Sequence, residues 1–356
     1  MTDKEKQHYV PRFYLKNFSF HNNRKEIGIF NVNTNFFIQN GKLKTQCYKP
    51  FFYGKDGKLE DALSELESLM SPIIRQILVT GKLPRLDSEE HHTLLYLMIL
   101  TEIRNPIASK AVKESQDHLQ LRLNELEEEA NSDTLSEIPK LSPEEMIKIS
   151  FSGIEKSFAV TQDLGYKLIL NSTDIPFITS DNPLVKYNQY LEQKKAIMGK
   201  TGYASIGIQL FLPLDPYKTI LFYDGNTYKV GDKKKSHIEL TRREDVEQLN
   251  LLQILNCERT AYFNHQVTQK YLKILKERSS QYSKGTTTNS KILGRVNDKG
   301  EKIENSSIIW LSATNFDINL SISNITLTKK IKTSQFDATK PSIRPRIIPI
   351  INQYRH

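Results

Sequence analysis

Between residues 161 and 166 the hydrophobic period of this chain changes from that of a helix to that of a strand. Upstream, Leu59, Leu63, Leu66, Met70, Ile73 and Ile77 recur at helical spacing, and Leu94, Leu95, Leu97, Met98, Ile99 and Leu100 are apolar almost all round, the mark of a central helix. Downstream, Tyr166, Leu168 and Leu170, then Phe177 and Ile178, alternate like strand residues, and further strands read over 206–212 and 219–223. Helical period first and period two afterwards predicts an α+β fold. A layer of long helices over residues 59–162 packs on a mostly antiparallel sheet over 163–230, and helices over 241–278 close a core of residues 1–284.

Local signals set the boundaries within this frame. Asn31 to Asn35 is turn chemistry between Ile27-Ile29-Phe30 and Phe36-Phe37-Ile38, so residues 26–38 form a hairpin. Asp87 or Ser88 caps the central helix. Asn105-Pro106 interrupts it, and it resumes over 107–129. Residues 131–141 are a polar linker. Ser142 and Pro143 start a helix that continues to about Thr161. Thr241-Arg242-Arg243-Glu244 fits a capping box, opening a helix that extends to Ala261, and another helix covers 267–276. Gly285 to Ser290 reads as a linker to an extension over 285–356 with short strands at 308–311 and 316–327.

The N-terminus is unusual. Gln7 to Phe18 holds four aromatics, a histidine and a proline. A run of this composition belongs in a core, so the N-terminus is expected to be tied down and His8 to sit at a rigid place where its pKa shifts. Two residues on apolar helix faces need opposite partners. Glu67 falls beside Leu63, Met70 and Ile74, with Glu60 seven positions earlier on the same side. Arg104 shares a face with Leu97 and Leu100, so it either pairs with an internal carboxylate or binds an anionic substrate such as phosphate. Ser180-Asp181-Asn182-Pro183 is a tight turn at a strand end, where Asp181 and Asn182 either cap backbone amides or present oxygens to a ligand.

Composition excludes several classes. No run of apolar residues is long enough for a membrane span, and Met1 to Lys6 lacks the apolar stretch of a signal peptide. Cys47 and Cys257 make neither a disulfide framework nor a zinc motif, so a reducing cytoplasm is the expected location. There is no glycine-rich phosphate loop, dinucleotide fingerprint or recognisable Ser or Cys nucleophile. The net charge is +9. Lys329, Lys330, Lys332, Lys340, Arg344, Arg346 and Arg355 face one acid, Asp337, in the last 28 residues. Such a basic end is either a foothold on nucleic acid or a solvated tail.

Together these stretches resemble the domain of unknown function 4238 family, found mainly in bacteria. The resemblance rests on His8-Tyr9-Val10-Pro11 through Phe18, Tyr53-Gly54 followed by Glu60 and Glu67, Arg104-Asn105-Pro106, Ser180 to Pro183, Pro213 to Pro216, and Asn250 or Asn256 with Arg259. Asn105 stands where the family usually has Thr, and Asp215 where it often has Ser. The resemblance covers roughly residues 7–265 and implies no reaction. It groups His8, Glu67, Arg104 and Asp181 as one catalytic constellation, with Asn182, Tyr14 and Arg259 as substrate contacts. Carboxylates with a histidine hold a divalent metal and an arginine holds phosphate. Glu60, Glu67 and Asp181 are therefore the expected ligands of a Mg or Mn ion, if a metal is used. The expected function is a nuclease-like effector cleaving RNA or DNA, of a kind that serves bacterial defence. The metal-free route uses His8 as base or acid. The rival reading is a non-enzymatic nucleic-acid- or protein-binding module whose buried polar network is structural.

Overall fold

The computed structural model describes residues 5–130, 138–196, 199–282, 289–296, 301–312, 316–332 and 342–354. At its centre is a five-stranded sheet in the order His237–Leu240, Gly165–Asn171, Lys218–Tyr223, Gln209–Asp215, Val185–Tyr187. The first pair is parallel and the other three are antiparallel. Alternate residues enter two different cores. Leu168, Leu210, Ile220 and Phe222 pack with Leu63, Met70, Leu94 and Met98 of the helices Lys58–Thr80 and Glu89–Ile103. Ile169, Phe211 and Leu221 pack with Val246, Leu249, Leu272 and Leu275 of the helices Arg243–Asn256 and Gln269–Ser279. The fold is thus α+β, with long helices on a mostly antiparallel sheet. The sheet is buried on both faces, so its strands contain few polar positions.

A second sheet, antiparallel throughout, runs Phe37–Lys42, Glu26–Asn31, Thr260–Phe263, Thr179–Ser180. The hairpin over 26–38 forms as its turn predicts, because Asn31 Oδ1 accepts the N–H groups of Asn33 and Thr34 at 3.0 Å each. Pairing then runs on to Lys42. The N-terminus is tied down through strand Lys6–His8, which pairs antiparallel with Tyr48–Pro50.

Several boundaries differ from the sequence reading. The helix expected from Pro143 to Thr161 breaks at Gly153 into Pro143–Ser152 and Ile154–Ala159. No capping box forms at Thr241. Arg242 is the N-cap and makes no side-chain cap bond. The helix expected to reach Ala261 stops at Asn256, and Thr260–Phe263 is a strand. Apolar positions at Leu255 and Ala261 fit helical spacing, but the local period cannot reveal that 260–263 pairs with two distant strands.

The C-terminal segment departs most. Part of the Gly285–Ser290 linker lies outside the described residues, as do Lys340, Arg355 and most of the 131–141 linker. Asn289–Val296 pairs with Lys302–Ser312 as a long hairpin. Residues 316–327 are not a run of strand. Only Ile325–Leu327 pairs, antiparallel with Tyr228–Val230. The segment is sewn into the core rather than added to it, because Ile318, Leu320, Ile322 and Ile325 are buried in the second of the two cores. Arg344 is 1% exposed. Its Nη2 donates to Asp163 Oδ1 at 2.9 Å and its Nη1 to the carbonyls of Tyr203 and Ser205 at 2.7 and 3.1 Å. One of the seven basic residues is therefore a buried structural cation, unable to reach a nucleic acid.

Candidate active site

The Lys6–His8 strand delivers the chain to the end of the Glu89–Ile103 helix, where Arg104 is the C-cap. Arg104 is 2% exposed and each of its three nitrogens is engaged. Nη1 donates to Glu67 Oε1 at 2.8 Å, Nε to the Tyr53 hydroxyl at 3.2 Å, and Nη2 to the carbonyl oxygen of His8 at 2.5 Å. Tyr53 reaches this position from a turn at Gly54, whose φ of +107° is left-handed space that favours glycine. Gln7 fixes the same turn by donating to the Gly54 carbonyl at 2.9 Å and accepting the Tyr53 N–H. The guanidinium lies 5.8 Å from the Tyr53 ring centroid. Burial raises the Tyr53 pKa to about 12, against the nearby Arg104 charge, so the phenol stays protonated as a donor.

His8 and Glu60 border this fixed cation and are each left with an unpartnered atom. His8 Nε2 and Glu60 Oε2 are buried and make no hydrogen bond. Burial lowers the His8 pKa to about 4, helped by the Arg12 and Arg104 charges and opposed by backbone hydrogen bonds with Lys44 and Lys6. An imidazole donating to a backbone carbonyl from one nitrogen keeps a lone pair on the other. Burial, with the negative charge of Glu67, raises the Glu60 pKa to about 6 against the pull of Arg104. A neutral base and a carboxyl that stays protonated above its ordinary range thus both lie within the field of one arginine. Arg12, exposed beside His8, has no carboxylate partner among the described residues.

Asp181 is placed differently from the reading that grouped it with His8. Its carboxylate accepts the N–H groups of Glu258, Arg259 and Thr260 at 2.9 Å each. It caps the bend between the Arg243–Asn256 helix and the Thr260–Phe263 strand. Burial still lifts its pKa to about 6 despite those bonds. The link to Arg104 runs through Asn105, whose Nδ2 donates to the Asp181 carbonyl at 2.6 Å. Asn182 and Asn256 exchange side-chain-to-carbonyl bonds at 3.1 and 2.6 Å. Tyr14 is buried, its hydroxyl on Thr179 Oγ1 and the Pro213 carbonyl at 2.8 and 2.5 Å. Arg259 is exposed and contributes its backbone to the Asp181 cap. Arg104 binds Glu67 and the His8 backbone directly, whereas Asn182, Tyr14 and Arg259 do not join that cluster.

The oxygens of the expected metal trio, Glu60, Glu67 and Asp181, are already partly committed to other partners. Both Asp181 oxygens accept backbone protons, and Glu67 Oε1 accepts from Arg104. Among the described residues, the His, Cys, Asp and Glu side chains whose ligand atoms lie within 4.8 Å of one another are Asp87, His91 and His92. There His91 Nδ1 accepts the Asp87 N–H at 3.3 Å.

The family described as Protein of unknown function (DUF4238) matches residues 6–266. The chain belongs to this family. No curated protein and no solved structure matches it significantly. The matched span of this DUF4238 member contains every residue of the Arg104 cluster and ends before the segment that adds Arg344 and the Ile325–Leu327 strand.

Three features of this DUF4238 member escaped the sequence reading. Tyr53 was legible only as part of the Tyr53-Gly54 pair, with no role of its own. Arg12 lay inside the aromatic run, where the hydrophobic residues dominated. Gln253 donates to the Pro183 carbonyl at 2.7 Å and accepts from Ser180 at 3.0 Å, between Asn250 on Ile178 N–H and Asn256 on Asn182. Amides at 250, 253 and 256 in the otherwise apolar stretch 249–256 were the available signal, since buried amides there need fixed partners.

Proposed function

We propose that this chain cleaves phosphodiester bonds in RNA or DNA by general acid–base catalysis, with His8 as base and Glu60 as acid. The observation that carries this reading is that His8 Nε2 and Glu60 Oε2, two of nine buried side-chain atoms without a hydrogen bond among the described residues, both feel the charge of Arg104. Buried polar atoms are almost always satisfied within a folded protein, and a catalytic role is one reason for an exception. The two pKa shifts suit the roles: His8 is neutral above about 4, and Glu60 keeps its proton up to about 6. Arg104 is a positioning residue, because all three of its nitrogens are engaged. Arg12 is the arginine free to meet the scissile phosphate. The net charge of +9 favours a polyanionic substrate. As an effector in bacterial defence, such a protein slows growth when expressed in a bacterial host.

A second reading has its own support. Arg104 and Asp181 are sealed and saturated, as in a polar network that fixes a fold. On that reading the chain is a binding module. Labelled RNA and DNA oligonucleotides incubated with wild type, His8→Ala, Glu60→Gln and Arg12→Ala separate the two. The enzymatic reading expects cleavage by wild type and its loss in all three variants, with His8→Ala and Arg12→Ala melting close to wild type. Equal cleavage by His8→Ala, or none by wild type, leaves the module.

A further inference from the structure

A cleft of about 770 Å³ opens beside the Tyr228–Val230 strand. Lys229, Lys233 and Lys234 line it together with Asn324 and Thr326, and Thr326 lies directly across the strand pair from Lys229. Asn324 and Thr326 lie beyond residue 266, where the family match ends, so the C-terminal segment contributes part of a lining that the family core alone leaves incomplete. The lysine loop is held in place. Gly231 turns at φ +54°, and a Cβ there would meet Ile238 at 2.5 Å. Asp232, the acid among the lining residues, accepts the Lys234 N–H on its Oδ1 at 2.9 Å. Lys167, 6% exposed, runs beneath and donates to the carbonyls of Asp232, at 2.8 Å, and Lys235. Lys229, Lys233 and Lys234 are exposed and pair with no carboxylate among the described residues.

We infer that this cleft binds the phosphate backbone of a nucleic acid without reading its sequence. The lining has no aromatic and no arginine, the anchors of protein interfaces. It offers mobile ammonium point charges, which suit phosphates spaced along a chain. The choice of polymer rests on the phosphodiester reading above, while the anion site does not.

The test measures anisotropy of a fluorescent single-stranded oligonucleotide of about 20 nucleotides with full-length His8→Ala protein, which leaves the probe intact. Changing Lys229, Lys233 and Lys234 together to Glu is expected to weaken binding more than ~10-fold at low salt. It should also flatten the slope of log affinity against log salt by about 2, three phosphates at ~0.7 each. The triple Gln variant should fall between, and it decides the matter if charge reversal lowers the melting temperature. Unchanged affinity and slope overturn the site. Competition by polyglutamate as strong as by unlabelled oligonucleotide at equal charge overturns the choice of nucleic acid. Binding that survives while wild type fails to cleave overturns the catalytic reading and leaves this one standing.

Discussion

Arg104 Nη2 donates to the carbonyl oxygen of His8 at 2.5 Å, joining residues 96 positions apart. The bond is to the backbone, so it fixes where the strand ends and leaves the imidazole free of the arginine. An N-terminal strand this short gains little from its own ladder. Its placement comes from this arginine, from Gln7 on the Tyr53 turn and from the pairing with Tyr48–Pro50.

Arg104 should therefore matter to stability and Arg12 to activity. Arg104→Ala leaves Glu67 unpaired and removes the tie to the strand, with an expected loss of about 3–5 kcal/mol. Arg104→Lys recovers part of it, because an ammonium cannot reach three directions as a fork does. Arg12→Ala should stay within about 0.5 kcal/mol of wild type, as surface changes do. Urea denaturation reads all three, and equal midpoints for Arg104→Ala and Arg12→Ala would contradict the assignment.

Asp181→Ala orphans three backbone N–H groups at once. The expected loss is about 3 kcal/mol or more. Asp181→Asn should sit between, since an amide keeps one accepting oxygen and turns a donor toward the others. Thermal melting is sufficient to check the order. An Asp181→Ala protein that melts with wild type would show that the cap does not hold the bend.

Glu60 gives a pH test whose sign is fixed. Its folded pKa, about 6, lies above the ordinary value of 4.5, so the folded state holds the proton more tightly than the unfolded chain. That contribution to stability is full below pH 4.5 and is lost as pH rises through about 6. Glu60→Gln has no charge to bury. It should melt higher than wild type at pH 8, with the difference shrinking toward pH 4.5, while losing cleavage. In wild type the acid role predicts that kcat/KM declines as pH rises through about 6. A Glu60→Gln protein less stable than wild type at pH 8 would mean that the carboxylate is satisfied.

Deleting residues 285–356 should unfold the protein rather than leave a soluble core. Ile318, Leu320, Ile322 and Ile347 are each at most 7% exposed. At about 1.5–3 kcal/mol per buried side chain, their loss rivals the whole stability of a domain, roughly 5–15 kcal/mol. Removing Arg344 also strands Asp163. Circular dichroism of the truncated chain checks this, and a cooperative melt near that of the full chain would refute it.

The sequence by itself determined the periodic elements and the fold class. The stripe from Leu59 to Ile77, the apolar run at 94–100, the Asn31 turn and Ser142-Pro143 each carry their cause within a few residues, because helical and strand periods and capping bonds are local. It also marked Glu67 and Arg104 as groups needing partners, since a charge on an apolar face is visible in one dimension. Tertiary structure alone decided who those partners are. Asp181, chosen from its strand-end turn, is held by amides 77–79 positions away, so no local pattern could show that its carboxylate is saturated. Arg344 reads in sequence as one more charge on a basic tail. It is buried because Asp163 and the carbonyls of Val160, Tyr203 and Ser205 converge on it from 139–184 positions away. A cation's burial depends on what the rest of the chain brings to it, and that is a property of the folded molecule.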